Sequence, residues 1–405
     1  MSKRDGLLVR PRTVPAVCPP ASVCCIVFGV SRTAYLIIDS SERNSDLFHR
    51  TGFFVPDPVI FFEHDGEGIL VLSDLELERG KKEAKVERVV SLRECAGSAR
   101  GGGKKRPGMA EIAAALLRER GIRSLIVQRN FPVFYADALR TAGFFVRTAK
   151  TDFLFPGRLR KSPAEVSHIK KALSATAEAM RLAVSLVSDS VVKNSTLYHE
   201  GRPLTSEIVR SAVNSHLAAR GYLASNTIVA GGVQGSMPHE TGSGPLAAGW
   251  PVVIDIFPRS QRNGYFGDMT RTVVKGEPSA ELSRMYDTVL RGQKIGLSMI
   301  RDGVRSRDVH GAVMDFFTER GFQTAVSGSG NPEGFIHSTG HGLGLDIHEP
   351  PRIGPGKEIL REGNVVTVEP GLYYERLGGI RIEDVVLVTR DGNENLTRCS
   401  KRFRV

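Results

Sequence analysis

The chain has 405 residues, of which 41% are hydrophobic and 24% are charged. At about 150 residues per domain, this length predicts two to three domains with enough apolar residues for a large core. The composition is close to the globular average, which excludes collagen-like, mucin-like and coiled-coil proteins.

The formal net charge of +11 is concentrated in the first 160 residues, which contain 26 lysines and arginines against 18 acidic residues. The densest basic stretch, residues 101–107 (GGGKKRP), has no interleaved aromatic residues, and no nucleic-acid-binding motif accompanies it. We interpret it as a solvated loop and expect neither a nucleic-acid partner nor a membrane partner.

The five cysteines are too few and too scattered for a disulfide framework, and none forms a CxxC pair. This pattern favours a reducing, cytoplasmic location. An apolar run at residues 23–30 is shorter than the roughly 20 residues that span a bilayer. Because the segment before it is basic, a secretory signal is an alternative, and residues 1–30 are interpreted as an N-terminal extension of uncertain role.

Residues 31–158 alternate strand-like and helical patterns, which predicts a smaller α/β domain. A helix is expected at residues 109–120, ended by Gly121 at the usual left-handed cap position. The Gly-rich basic stretch at 97–108 is expected to be a surface loop. Strands are predicted at residues 35–38, 59–62, 69–72 and 124–127.

A second domain is predicted over residues 161–405. It opens with Ser162, Pro163 and Glu165, a capping box with proline at the first helical position, followed by apolar residues at helical spacing. Further helices are expected at 205–220, 280–300 and 307–320, the last with Ser306 as its N-cap and Gly321 as its end.

Two β-hairpins of the second domain share a layout. Residues 252–257 and 265–274 flank one polar turn, and residues 365–368 and 379–388 flank another. Each hairpin carries one acidic residue on each strand. These four residues are Asp255 and Asp268, then Glu369 and Glu383.

Carboxylates inside such apolar strands are costly to bury, so a positive charge is expected beside them. Arg271 and Arg381 are near enough in the sequence to pair with two of the four acids. The remaining repulsion would raise the pKa values of the carboxylates strongly unless cations intervene. The pattern therefore predicts bound metal ions.

A glycine-rich segment at residues 335–351 (FIHSTGHGLGLDIHEPP) adds three histidines within twelve positions. Its glycines exclude a regular helix and let the backbone approach closely. Four carboxylates and one neutral imidazole balance the charge of two divalent cations. The oxygen-rich set favours manganese or cobalt, with zinc, iron or magnesium as alternatives, and a two-metal hydrolytic centre.

The order of these acids and of the GHGLGLDIHEPP segment resembles the metal-ligand signature of the pita-bread metallopeptidases. This superfamily contains the methionine aminopeptidases, aminopeptidase P, prolidase and creatinase. The resemblance covers residues 160–405, with weaker support for a creatinase/prolidase-like N-terminal domain. It implies an α+β chain whose C-terminal pita-bread domain has a pseudo-two-fold β-sheet with flanking helices.

The resemblance also implies a role for each matching residue. Asp255 would chelate one metal, Asp268 and Glu383 would bridge the pair, and His341 and Glu369 would complete the second site. Glu369 would also serve as the proton shuttle for a metal-bridging hydroxide. The expected substrate and orienting groups are His239, His337, His348 and Arg381.

The complete ligand set argues against creatinase-type members, and the preceding domain argues against methionine aminopeptidases. The resemblance thus favours a peptidase that acts on the Xaa-Pro bond of dipeptides or short peptides. It also implies a homodimer, which is common in this branch. Two alternatives stay open: hydrolysis of another small amide or cyclic amino-acid derivative, and a non-catalytic binding module. The sequence has no HExxH zinc helix and no GxSxG nucleophile elbow.

Overall fold

The computed structural model describes residues 33–99, 106–326 and 330–405. Two predicted features lie outside these ranges: the N-terminal extension at residues 1–30 and residues 101–105 of the basic stretch. Within the described residues, no helix combines the length and apolar composition needed to cross a bilayer.

The N-terminal part is built on one six-stranded mixed sheet in the order β4-β3-β2-β1-β5-β6. The β1-β2-β3 strands are antiparallel neighbours, whereas β4, β5 and β6 join the sheet in parallel. All four strands predicted in this region are present. The strands are β1 Thr33–Asp39, β2 Val59–His64, β3 Glu67–Leu72, β4 Arg88–Ser91, β5 Ser124–Val127 and β6 Phe145–Thr148.

In residues 33–99 and 106–158, five helices accompany this sheet, and apolar cores form on both of its faces. The predicted helix at 109–120 is α4, which ends one residue earlier with Gly121 at φ 69°. The predicted loop at 97–108 was too long, because Gly97 lies within α3. The helices are α1 Ser45–Thr51, α2 Asp74–Glu83, α3 Leu92–Ala99, α4 Met109–Glu119 and α5 Val133–Thr141.

A connecting segment with a short 3₁₀ helix, Pro156–Leu159, leads into the C-terminal part. That part begins with α6 (Pro163–Ser188), whose capping box forms as predicted. Three more helices follow in the described residues: α7 Ser206–Ala218, α8 Ala280–Met299 and α9 Ser306–Glu319. The prediction of Ser306 as an N-cap was wrong. Arg305 occupies the cap position, and Ser306 is buried in the first turn.

The strands of the C-terminal part form several small antiparallel sheets. The two that matter for the site are a three-stranded sheet, β11-β12-β14, and a five-stranded sheet, β18-β17-β19-β22-β23. The first group of strands is β7 Val191–Lys193, β8 Thr196–His199, β9 Arg202–Pro203, β10 Tyr222–Leu223, β11 Ile228–Gly231, β12 Val252–Ile256, β13 Arg259–Ser260 and β14 Met269–Val273. The second group is β15 Ala325–Val326, β16 Pro332–Glu333, β17 Gly340–Gly342, β18 Glu349–Ile353, β19 Val365–Val368, β20 Gly371–Tyr374, β21 Gly378–Arg381, β22 Asp384–Val388 and β23 Asn393–Asn395.

The first predicted hairpin is present, since β12 pairs with β14 and Asp255 lies opposite Thr270. Its second strand is shorter than predicted and begins at Met269. The second hairpin differs more. Its predicted strand at 379–388 divides into β21, which pairs with β20, and β22, which pairs with β19. Glu383 lies at this break, where its backbone N–H donates to the carbonyl of Thr270 rather than to a strand of its own sheet.

Candidate metal centre

Five side chains converge where the β11-β12-β14 sheet meets the β18-β17-β19-β22-β23 sheet. Each lies on a strand or directly at a strand end, so the backbone that carries it is held by sheet hydrogen bonds. Four of the five are less than 9% exposed, and the fifth, Glu369, is half-buried. The five residues are Asp255 on β12, Asp268 before β14, His341 on β17, Glu369 after β19 and Glu383 before β22.

The distances among these groups are short. The Nε2 atom of His341 lies 3.1 Å from Oε1 of Glu369 and 3.7 Å from Oδ2 of Asp268. One ligand atom from each of Asp268, His341 and Glu383 lies within 4.8 Å of the other two. The structure therefore brings these predicted ligands into one cluster.

The carboxylates of the cluster repel one another in a space with little water. Burial, followed by the charges of Glu383, Asp255 and Glu369, raises the pKa of Asp268 well above its ordinary value. Burial and the charges of Glu369 and Asp255 likewise raise the pKa of Glu383. The charge of Asp255 thus raises the pKa values of both Asp268 and Glu383. Such a cluster ionises fully only when additional positive charge is supplied.

Glu369 behaves differently from its neighbours. Burial disfavours its charge, but the hydrogen bond from His341 and the nearby charge of Arg381 outweigh burial and lower the pKa of Glu369. Its Oε1 atom also accepts a hydrogen bond from the hydroxyl of Thr367 at 3.2 Å. Glu369 is therefore more readily kept ionised than Asp268 or Glu383.

The donor set fits divalent cations. Oδ1 of Asp255 and Oε1 of Glu383 are buried and have no hydrogen-bond donor among the described residues. The two ring nitrogens of His341 both face oxygen atoms, since Nδ1 lies 3.1 Å from the carbonyl of Gly342. A neutral imidazole carries one proton, so Nε2 and the carboxylates need either a second proton or a cation between them. Four carboxylates with one imidazole suit hard or borderline divalent metals.

Arg381 is the buried cation that lies against this cluster. Its Nη2 donates to Oδ2 of Asp255 at 2.7 Å, and its Nε donates to the hydroxyl of Thr270 at 3.1 Å. Its Nη1 donates to the hydroxyl of Tyr373 at 2.8 Å. Arg381 therefore orients Asp255 and leaves the second carboxylate oxygen of that residue free. Arg271, the other arginine considered from the sequence, pairs instead with Asp384 at 2.9 Å.

The three histidines expected outside the ligand set lie around the same space. His337 places Nε2 at 2.9 Å from the hydroxyl of Tyr373 and Nδ1 at 2.8 Å from the carbonyl of Ser338. Burial lowers its pKa, so the ring is neutral with Nδ1–H donating and Nε2 accepting. Both of its nitrogens are thus occupied within the protein.

His348 and His239 are exposed to solvent at the edge of the cluster. The ring of His348 packs edge-on against the ring of His341, with 4.4 Å between centroids. Burial of part of the ring, together with the neighbouring His341 ring, lowers the pKa of His348 to about 4. His239 contributes to the lowered pKa values of His337 and His348, so it lies within electrostatic range of both.

Three supporting residues were missed from the sequence. Thr270 donates to Oε2 of Glu383 at 2.8 Å, and Thr367 donates to Glu369. Each threonine is two residues from an expected ligand and on the same face of its strand, so period-two spacing could have identified both. Tyr373 connects Arg381 to His337, but nothing in its apolar strand indicated this contact.

A cavity of about 400 Å³ lies between the N-terminal and C-terminal parts beside His348. It is strongly polar, and both parts of the chain contribute to its walls. The lining includes Asn44, Asp46, Arg158, Asp346, His348 and Glu349.

Comparison with known proteins gives consistent results. The model of metallopeptidase family M24 matches residues 167–390, which is more than half of the chain. A Xaa-Pro dipeptidase of Pyrococcus horikoshii is 29% identical over 286 residues, covering 70% of this chain and 75% of that protein.

Two solved structures extend the likeness to nearly the whole chain. The prolidase from Pyrococcus horikoshii superimposes with a TM-score of 0.74 at 27% identity, covering 91% of this chain and 95% of that one. A Xaa-Pro dipeptidase from Bacillus anthracis has a TM-score of 0.77 at 24% identity, covering 92% and 95%, and this likeness concerns the fold. The chain therefore has the α+β pita-bread fold and belongs to metallopeptidase family M24.

Proposed function

We propose that this metallopeptidase hydrolyses the Xaa-Pro bond of dipeptides or short peptides with two divalent metal ions. The cluster of four carboxylates and one imidazole, with unsatisfied oxygens on Asp255 and Glu383, is the observation that carries the proposal. The substrate class is supported by the names of the relatives, a Xaa-Pro dipeptidase and a prolidase.

The proposed ligands are Asp255, Asp268, His341, Glu369 and Glu383. Divalent cations held by these groups would supply Lewis-acid polarisation of the scissile carbonyl and activation of a water molecule. Manganese or cobalt is the proposed metal, because an oxygen-rich set with one nitrogen suits these ions.

Glu369 is proposed as the general base. Glu369 is ionised at neutral pH, and an ionised carboxylate held beside the metals can accept a proton during hydrolysis and return it to the leaving amine. Thr367 holds one oxygen of this carboxylate in place. His348 and His239 are proposed to hold the substrate, because both lie exposed beside the cluster.

Arg381 and His337 are proposed to act as an orienting pair. Arg381 fixes Asp255 directly and fixes His337 through the hydroxyl of Tyr373. In this arrangement a neutral His337 presents its ring rather than a charge to the substrate.

The assembly and location of the protein are also proposals. The resemblance to Xaa-Pro peptidases supports a homodimer with a creatinase/prolidase-like N-terminal domain, and the cysteine pattern supports the cytoplasm. The molar mass of the purified protein in solution tests the dimer, since a mass equal to one 44.1 kDa chain would contradict it.

The activity is tested with protein stripped of metal and then reloaded with manganese or cobalt. We expect about two equivalents of bound metal and cleavage of Xaa-Pro dipeptides, with little cleavage of matched Xaa-Ala dipeptides. Metal-loaded protein that leaves Xaa-Pro peptides intact but opens another small amide would contradict the substrate proposal. Protein that binds no metal and hydrolyses nothing would indicate a binding module.

A further inference from the structure

A second buried ionic network lies outside the metal centre and joins the N-terminal part to the C-terminal part. Arg158, in the connecting segment, donates from Nη1 to Asp46 of α1 at 3.2 Å and from Nη2 to Glu349 of β18 at 2.8 Å. All three side chains are at most 4% exposed. Burial disfavours the charge of Arg158, but Glu349, Asp346 and Asp46 outweigh it and raise the pKa of the guanidinium.

Lys161 completes this network from the end of the connecting segment. Its Nζ donates to Oε1 of Glu349 at 2.5 Å and to the carbonyl of Arg158 at 2.7 Å. A side chain at Gly344 would prevent this contact, because an added Cβ would lie 2.8 Å from Oε1 of Glu349 and 2.9 Å from Cε of Lys161. Each oxygen of Glu349 therefore has its own cation.

The network holds both sides of the segment that carries His348. Glu349 follows His348 directly, and its backbone lies opposite Gly342, the neighbour of His341. On the other side, Asp346 accepts from Nη2 of Arg158 at 2.6 Å and from the hydroxyl of Ser45 at 2.6 Å. Residues 346 and 349 are thus anchored to groups that do not belong to the metal centre.

Stability alone is a weak reason for this arrangement. Replacing a buried ion pair by apolar residues of similar size is often neutral or stabilising, because desolvation offsets the Coulomb attraction. Residues of the network also line the cavity of about 400 Å³ that His348 borders. These residues therefore border the same space as the His348 ring.

We propose that Lys161 and Arg158 are positioning residues, which fix the segment at residues 345–349 so that His348 faces the substrate. This inference rests on the proposed function, since it gives His348 a part in substrate binding. Neither cation touches the metal ligands, so both act through Glu349 and Asp346.

The test compares Lys161→Met with Lys170→Met in metal-saturated enzyme. Lys170 lies on α6 and pairs with Glu394 at 2.8 Å with both side chains about half exposed, so its loss has little effect. For Lys161→Met we expect about a tenfold or larger loss of kcat/KM on a Xaa-Pro dipeptide with metal content unchanged. Activity equal to that of Lys170→Met would overturn the proposal.

A double-mutant cycle separates positioning from general destabilisation. In a His348→Ala background, Lys161→Met should lose most of its effect, because the group that it positions is gone. Fully additive losses would show that Lys161 acts on something other than His348. If Lys161→Met does not fold, Ser45→Ala serves in its place, since it removes one hydrogen bond to Asp346.

Hydrogen exchange distinguishes failure of this inference from failure of the proposed activity. Amides of residues 343–349 should exchange faster in Lys161→Met than in wild type, whatever the substrate is. Unchanged exchange in this segment would overturn the anchoring role. If exchange is faster in Lys161→Met but the wild-type protein cleaves no Xaa-Pro peptide, the proposed activity alone is rejected.

Discussion

Thr270 and Glu383 join the two sheets that carry the candidate ligands. The hydroxyl of Thr270 donates to Oε2 of Glu383 at 2.8 Å, and the backbone N–H of Glu383 donates to the carbonyl of Thr270 at 3.1 Å. This reciprocal pair is possible because the strand that contains Glu383 is interrupted there. It places one oxygen of Glu383 on Thr270 and leaves the other facing the cluster.

Thr270→Val should weaken metal binding about 10- to 100-fold, the usual effect of removing a group that orients a ligand. The substitution preserves the side-chain shape but removes the hydroxyl that holds Oε2 of Glu383. Metal titration of the stripped protein measures the affinity, with Thr270→Ser as the control that retains the hydroxyl. Equal affinities for valine and serine variants would show that the hydrogen bond has no part in ligand orientation.

Asp268→Asn should abolish turnover while making the metal-free protein more resistant to heat at neutral pH. The pKa of Asp268 is raised in the folded protein, so folding favours the protonated carboxyl. The stability that this protonated group contributes at low pH is lost as pH rises and the proton leaves. An uncharged amide avoids that loss. Thermal unfolding of stripped wild type and variant at pH 7 checks the sign, and a lower unfolding temperature for Asp268→Asn would contradict it.

Tyr373→Phe should lower kcat about tenfold with metal content unchanged, because the hydroxyl links Arg381 to His337. The neighbouring Tyr374→Phe is a matched control, since that hydroxyl donates to the carbonyl of Gln323 on the opposite face of the strand. Steady-state kinetics on one dipeptide compare the two variants. Similar kinetics for both would remove Tyr373 from the catalytic arrangement.

Glu165→Gln should reduce stability at neutral pH but not in acid. Burial opposes the charge of Glu165, yet hydrogen bonds from His49, Ser162 and Tyr265 lower its pKa to about 2. The ionised group therefore stabilises the fold above about pH 4.5, and this contribution, at most about 3 kcal/mol, is lost as pH falls towards 2. Glutamine preserves the capping box. Unfolding temperatures measured from pH 7 to pH 3 should converge, and a constant difference would contradict the prediction.

Much of the secondary structure could be predicted because its signals are local. The capping box at Ser162 and Glu165 marks the start of α6, and continuous apolar runs rich in β-branched and aromatic residues mark β2 and β12. The error at Ser306 is of another kind. Serine is a common cap residue, but Arg305 occupies the cap position here. The extended backbone of Arg305 forms a bridge with Ile359, a residue more than fifty positions away.

The division of the strand at residues 379–388 could not be predicted for a similar reason. Residues on both sides of Glu383 are β-forming, so the sequence indicates one strand. The break at Glu383 arises from hydrogen bonds to Thr270, which lies over a hundred residues earlier. Likewise, Tyr373 lies in an apolar run that gives no sign of a polar contact. Its hydroxyl contacts Arg381 and His337 only because β20 pairs with β21.

The sequence by itself determined the types of side chain available for chemistry and the local elements that carry them, since β-forming runs and helix caps depend on neighbouring residues. Only the tertiary structure decided that Arg381 pairs with Asp255 while Arg271 pairs with Asp384, and that Lys161 reaches Glu349. These choices depend on which strands become neighbours across the chain. The free-energy cost of burying each charge therefore depends on the oppositely charged partner that the fold places next to it.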